Sequence, residues 1–141
     1  MRDAYEVLEA ATPSQTERQP VRVLVVDDHD GYRSALVRAL SLTPEVEVAG
    51  DASSGETACD VVIDLRPDVV LMDISMPGMD GIDATRRIRR SNPDTRVVVL
   101  TTLDGVTVER SAKEAGASTV LGKGTPLDDV VTKILEAANG G

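Results

Sequence analysis

Three aspartates, two threonines and a lysine stand just after short apolar runs in this chain. Asp27 and Asp28 follow Val21–Val26, Asp73 follows Val69-Val70-Leu71-Met72, Thr101 and Thr102 follow Val97–Leu100, and Lys123 lies just beyond Ser118–Leu121. Asp73 is the most telling. The run before it is continuous, as in a strand covered on both faces, and Ile74-Ser75-Met76-Pro77-Gly78 behind it forces a turn. Brought together, three carboxylates repel by about 1 kcal/mol per pair at ~4 Å even in water, and by more in a partly buried site. They raise one another's pKa unless a cation intervenes. A hard divalent ion held by one or two carboxylates and several waters, as is typical of Mg²⁺, answers that need. Such an ion bridges a carboxylate to a phosphoryl oxygen, while an ammonium and a hydroxyl supply further donors; the set suits a phosphoryl group.

The elements that must position these groups are legible from periodicity. Val21–Val26 predicts a strand, and Tyr32, Ala35, Leu36, Ala39 and Leu40 recur at helical spacing. Val46-Glu47-Val48-Ala49 alternates like a half-exposed strand, and Ser53 with Glu56 predicts a capping-box start to a helix carrying Ala58, Val61, Val62 and Leu65. After the strand Val69–Met72, a helix from about Gly81 turns Ile82, Thr85 and Ile88 inward. Val97–Leu100 is a further buried strand, followed by a helix marked by Val108, Ala112 and Ala115. Ser118–Leu121 is a short strand. The last helix has Thr125 as its expected N-cap, Pro126 at its first position and the stripe Leu127, Val130, Val131, Ile134, Leu135, Ala138.

Strands alternating with helices predict an α/β fold with a parallel sheet covered on both faces. The first, third and fourth strands are near-continuously apolar, whereas the second alternates and the fifth is short and starts polar, which puts the last two at the edges. The expectation is a flavodoxin-like (βα)5 doubly wound five-stranded sheet in the order 2-1-3-4-5, with ligands at the carboxyl ends of the strands. In that order Asp27, Asp28, Asp73, Thr101 and Lys123 converge on one cleft.

Composition narrows the function classes. The chain has 141 residues, 41% hydrophobic and 28% charged, as expected of a single globular domain. Its net charge of −9 argues against wholesale binding to nucleic acid or an anionic membrane. With no Trp or Phe, and only Tyr5 and Tyr32, base stacking is almost excluded. Cys59 is the single cysteine, which rules out an internal disulfide and fits a reducing compartment. No apolar run approaches the roughly 20 residues of a membrane span, and no signal-peptide core opens the chain, so a cytoplasmic location is expected. Residues 1–20 read as a flexible leader, with a short helix over Asp3–Ala11 and a proline-bounded polar stretch, Thr12–Pro20; residues 21–141 read as the domain.

From Val21 to about Ala138 the chain resembles the response-regulator receiver domain of two-component signalling. The resemblance is carried by Val25-Val26-Asp27-Asp28, by Leu71-Met72-Asp73-Ile74-Ser75-Met76-Pro77-Gly78-Met79-Asp80-Gly81, by Leu100-Thr101-Thr102, and by Ala115-Gly116-Ala117-Ser118 leading to Lys123. It implies that Asp73 accepts the phosphoryl group from a phosphohistidine on a sensor histidine kinase or from a small acyl phosphate. It further implies that Asp28, Asp73 and the Ser75 carbonyl ligate Mg²⁺, with Asp27 acting through a metal-bound water. Thr101 would hydrogen-bond the phosphoryl group, Lys123 would pair with it, and backbone N–H groups near Ile74 and Thr102 would complete its cradle. Two positions depart from the family pattern: Val120 stands where an aromatic residue is common, and Gly124 where proline is common. Leu103, beside the expected path of a hydrolytic water, is apolar.

Val-Asp-Asp-His, Thr101-Thr102 and Lys123-Gly124-Thr125-Pro126 are most similar to receivers of NarL/FixJ type, which usually precede a helix-turn-helix; the sequence ends too soon after Ala138 to hold one. A homodimer formed on phosphorylation, through the last helix or the face of the last two helices, is a candidate assembly. The expected role is a phosphorylation switch that is not a turnover enzyme. The alternatives are a degenerate receiver serving as an interaction module, and an aspartyl-phosphate phosphatase of the haloacid-dehalogenase kind. That second class wants Asp-x-Asp after its first strand, where this chain has Asp27-Asp28-His29. Plainer readings apply to the remaining residues: His29, Asp80 and Gly81 as helix starts, Cys59 as core, Met72, Met76 and Met79 as packing and loop residues, and Arg86, Arg87, Arg89 and Arg90 as a solvated helix face.

Overall fold

The structure, a computed structural model, describes residues 19–75, 80–102 and 106–140. The expected leader lies almost wholly outside these residues, as do Met76, Met79 and Leu103. Ten elements alternate: β1 (Val21–Val26), α1 (Asp30–Ser41), β2 (Val46–Ala52), α2 (Gly55–Leu65), β3 (Val69–Met72), α3 (Gly81–Ser91), β4 (Arg96–Thr101), α4 (Val106–Glu114), β5 (Thr119–Gly122) and α5 (Leu127–Ala138). The five strands pair in parallel in the order β2-β1-β3-β4-β5, the flavodoxin-like arrangement predicted from their apolar content.

The sheet divides the core into two layers. Side chains alternate across each strand, so Leu24, Val26, Val70, Met72, Val97 and Val99 pack under α2, α3 and α4. Val23, Val25, Val69, Leu71, Val98 and Leu100 pack under α1 and α5. Each helix seals its layer with the residues its periodicity puts inward: Val62 from α2, Ile88 from α3, Ala112 from α4, Leu40 from α1 and Ile134 from α5 are all fully buried. Burying a Leu or Ile side chain stabilises by about 1.5–3 kcal/mol, so these two layers dominate the favourable side of folding.

Two helix starts fall one residue away from expectation. The cap of α2 is Ser54, not Ser53: its hydroxyl accepts from the Thr57 N–H at 3.1 Å, and β2 runs on to Ala52, so the chain turns one residue later than a capping box on Ser53 and Glu56 requires. In α5 Pro126 is the cap, at an extended ψ of 146°, and Leu127 is the first helical residue. The Pro126 ring offers no hydrogen-bond acceptor, so α5 begins without a side-chain cap hydrogen bond. Strand β2 is also longer than the alternating run suggested, because a bulge after Val48 lets it continue through Gly50 and Asp51 beside Leu24 and Val25.

Arg89 departs from the solvated face predicted for its cluster. Its guanidinium donates to the carbonyls of Pro93 at 2.5 Å and Thr95 at 2.6 Å, and its stem lies over Gly116. Gly116 has φ +115°, and a Cβ there would come within 2.7 Å of Arg89 Cγ. Arg86, Arg87 and Arg90 are exposed as expected. Cys59 is buried on α2, and burial pushes its thiol pKa up, in keeping with a core role.

Candidate functional site

Strand register brings the predicted residues together. Val26 pairs with Met72, so Asp27 and Asp73 leave adjacent strands side by side; the Asp73 N–H donates to the Val26 carbonyl at 3.0 Å. Thr101 pairs with Gly122, and the Lys123 N–H donates to the Thr101 carbonyl at 2.9 Å, which carries the lysine to the same edge. Asp27, Asp73 and Thr101 are buried at 3%, 4% and 1% exposure, while Asp28 is exposed at the rim.

Carboxylate oxygens of Asp27, Asp28 and Asp73 all lie within 4.8 Å of one another. Oxygen donors of this kind and number fit a hard divalent cation. Lys123 meets part of the same charge: its Nζ is 2.6 Å from Asp27 Oδ2 and 3.5 Å from Asp73 Oδ2. Although burial disfavours its charged form, these two carboxylates hold the Lys123 ammonium above its ordinary pKa. Asp73 is raised as well. Burial is the main cause, opposed by the Ser75 N–H, which donates to Asp73 Oδ1 at 3.0 Å, and by Lys123, and reinforced by Asp27. Burial thus outweighs the relief from Ser75 and Lys123, so the charged form of Asp73 stands to gain from an added cation.

Several supporting residues carry no chemistry of their own and were not singled out for the site from sequence. Arg33 donates to the Asp27 carbonyl at 2.7 Å and pairs with Asp51 at 2.9 Å and Asp30 at 2.8 Å, clamping the turn after β1. His29 caps α1 through Nδ1, which accepts from the Tyr32 N–H at 3.1 Å, while its own N–H donates to Asp27 Oδ1 at 2.8 Å. Gly81 packs so closely on the loop after β3 that a Cβ would come within 2.2 Å of the Asp73 carbonyl oxygen. Asp80 caps the same helix by accepting from the Asp83 N–H at 2.9 Å.

Tyr32 is the least expected neighbour, since its spacing marked it only as core. Its ring lies beneath Lys123, with Nζ 4.5 Å from the centroid, a cation–π distance. Burial raises its phenol pKa, partly offset by Lys123 and augmented by Asp27 and Asp73.

Comparison with known proteins matches residues 23–135 to a family described as "Response regulator receiver domain". The chain belongs to that family. This receiver is 40% identical over 120 residues to the response regulator GacA of Pseudomonas aeruginosa, a match covering 85% of the chain and 56% of GacA. It is 38% identical over 120 residues to the transcriptional regulatory protein LiaR of Bacillus subtilis, covering 85% of the chain and 57% of LiaR. The chain thus spans a little over half the length of these relatives. Among solved structures, the signal receiver domain of a NarL response regulator from Mycobacterium tuberculosis superimposes with a TM-score of 0.84 at 36% identity, covering 88% of this receiver and 100% of that domain. These relatives are of the NarL/FixJ type anticipated from the strand-end motifs. No helix among the described residues is long and apolar enough to cross a membrane.

Proposed function

We propose that the chain is a phosphoacceptor switch, the receiver of a two-component response regulator, with Asp73 as the phosphorylated residue. The observation that carries this is the gathering of the Asp27, Asp28 and Asp73 carboxylates with Lys123 at the carboxyl edge of the sheet. An Asp73 carboxylate oxygen attacks the phosphorus of a phosphohistidine on a sensor histidine kinase, or of a small acyl phosphate. The new O–P bond forms as the P–N or P–O bond to the donor breaks, and the electron pair leaves with the donor. Lys123 exchanges its carboxylate partners for the phosphoryl oxygens, and the Thr101 hydroxyl donates a hydrogen bond to them. Asp27, Asp28, Asp73 and the Ser75 carbonyl are the residues that would hold Mg²⁺. When bound, the ion neutralises charge between the carboxylates and the incoming anion.

The phosphoryl group adds roughly two negative charges, which shifts a two-state equilibrium in the domain and so controls an output partner or a linked domain. In this reading residues 21–141 are the receiver and 1–20 a leader, the protein is cytoplasmic, and it transfers the group to itself without turnover. The phosphorylated form self-associates through α5 or the α4–α5 face, which sedimentation would detect.

Intact mass after exposure to acetyl phosphate and Mg²⁺ tests the reading. The expected result is the gain of one phosphoryl group in the wild type and none in Asp73→Asn. No gain in the wild type would overturn it in favour of an interaction module, and steady release of free phosphate from many esters would favour a phosphatase.

A further inference from the structure

Tyr32 is the only aromatic residue among those described, and it stands between two features that the acidic cluster alone does not connect. On one side its ring lies against the small cavity bounded by Asp27, Asp73, Leu71 and Leu100. On the other it forms a wall of a groove of about 200 Å³ between α1 and α5, lined by Ala35, Leu36, Thr125, Leu127 and Val130. Lys123 Nζ rests over this ring at 4.5 Å while touching Asp27 and Asp73. One ammonium is therefore shared by a π face and two carboxylates.

A ring quadrupole holds a cation less strongly than a full anion does, and a phosphoryl group brings roughly two negative charges to within reach of Lys123. The lysine moves with the charge, and the ring loses the cation that covers it. The Tyr32 N–H is already bound by His29 Nδ1 at the start of α1, which leaves the side chain to respond. The open space that Tyr32 borders is the groove, where Ala35 is exposed and Leu127 is 37% exposed. The layer matters too. Val120 packs in the layer under α2, α3 and α4, whereas Tyr32 packs in the opposite layer, under α1 and α5.

We propose that Tyr32 is a positioning residue that holds the Lys123 ammonium in the resting site and, when the phosphoryl group on Asp73 draws Lys123 away, carries that occupancy to the α1–α5 groove. This rests on the phosphoacceptor reading given above. It gives the domain a response on the α1–α5 face of the sheet, where this chain has an aromatic side chain, opposite the face that holds Val120.

The test is NMR of the full chain with beryllofluoride and Mg²⁺ as the phosphoryl mimic, on wild type, Tyr32→Phe and Tyr32→Leu. In the resting wild type the Lys123 ε-methylene protons, adjacent to an Nζ that lies 4.5 Å from the ring centroid, are expected to resonate upfield. Beryllofluoride moves them to ordinary positions and shifts the methyl signals of Leu36, Leu127 and Val130. Tyr32→Phe keeps both responses; Tyr32→Leu lacks the upfield position and loses the groove-methyl response. Lys123 protons that do not move, or groove methyls that respond equally in Tyr32→Leu, would overturn the proposal while leaving Asp73 as the acceptor. If Tyr32→Leu does not fold, the wild-type Lys123 shift and its retention in Tyr32→Phe decide. A wild type that takes up neither beryllofluoride nor phosphoryl overturns the acceptor reading and this proposal with it.

Discussion

Lys123 is held more closely by Asp27, at 2.6 Å, than by Asp73, at 3.5 Å. The ammonium is thus anchored on the first strand's acid and leans toward the third strand's, and it stands where a cation is needed between two buried carboxylates. Any divalent ion entering the cluster meets a site whose repulsion is already partly relieved, and must share those carboxylates with an internal cation. In the proposed chemistry, Mg²⁺ affinity and the Lys123 ion pairs are therefore coupled.

Lys123→Met makes that coupling measurable. Without the ammonium, Asp27 and Asp73 face each other with only hydrogen bonds for relief. The expected loss of stability is roughly 1–3 kcal/mol, smaller than for a fully buried pair because Lys123 retains some exposure. Mg²⁺ should restore more stability in this variant than it adds to the wild type, by mass action on a site with no competing cation. Urea unfolding with and without Mg²⁺ checks it; equal Mg²⁺ effects in the two proteins would show that Lys123 and the ion do not share the carboxylates.

Asp73→Asn should raise stability near neutral pH. Burial lifts the pKa of Asp73 in the folded state above its ordinary value, so the folded protein binds its proton more readily than the unfolded chain does. Stability contributed by this group therefore falls as pH rises from the ordinary carboxylate range through the raised value, and stays lower above it. Asparagine has no charge to bury. The gain is expected at roughly 0.5–2 kcal/mol at pH 7 and should vanish in acid, below both pKa values. Unfolding free energies across pH test the sign: a variant destabilised at neutral pH would mean that the Asp73 charge is well compensated after all.

Gly81→Ala tests whether the Asp73 backbone depends on a missing Cβ. The added carbon would come within 2.2 Å of the Asp73 carbonyl oxygen and 2.4 Å of Ile74 Cα, both backbone atoms that cannot swing aside. Overpacking of this kind costs about 3 kcal/mol. Because relief requires moving the loop that carries Asp73, phosphoryl uptake from acetyl phosphate should slow together with the loss of stability. A variant as stable and as fast as the wild type would show that α3 shifts freely against β3.

The strand-end acids were legible because an apolar run followed by a turn fixes where a side chain emerges. The sheet order followed from which runs were continuous, and from these Asp27, Asp28, Asp73, Thr101 and Lys123 fall together. What escaped depends on approach between distant segments. Tyr32 satisfied the helical period of a core position, and nothing local says that its ring meets Lys123. Gly81 read as a helix start, and its contact with Asp73 exists only once α3 folds back on β3. Ser53 and Ser54 are equivalent as local caps; the length of β2 chooses between them.

Cys59 gives a simple check on the layer beneath α2. Its thiol is buried and burial pushes its pKa up, so little thiolate is present or accessible in the folded protein. Alkylation by iodoacetamide at neutral pH should be slow in native conditions and rapid in urea. Fast native alkylation would mean that α2 opens locally without global unfolding.

Arg89 separates an anchor from a charged face. Four arginines lie close together on α3, yet only Arg89 reaches back to the carbonyls of Pro93 and Thr95, tying the end of the helix to the start of β4. Arg89→Ala removes two charge-assisted hydrogen bonds and the stem that covers Gly116, an expected cost of about 1–2 kcal/mol. Arg86→Ala breaks only the exposed pair with Asp83, and Arg90→Ala removes an exposed charge. Each should stay within about 0.5 kcal/mol of wild type. Thermal or urea unfolding of the three variants decides: equal small effects would return Arg89 to the solvated face, whereas a loss confined to Arg89 identifies it as the fastening between α3 and the strand that delivers Thr101.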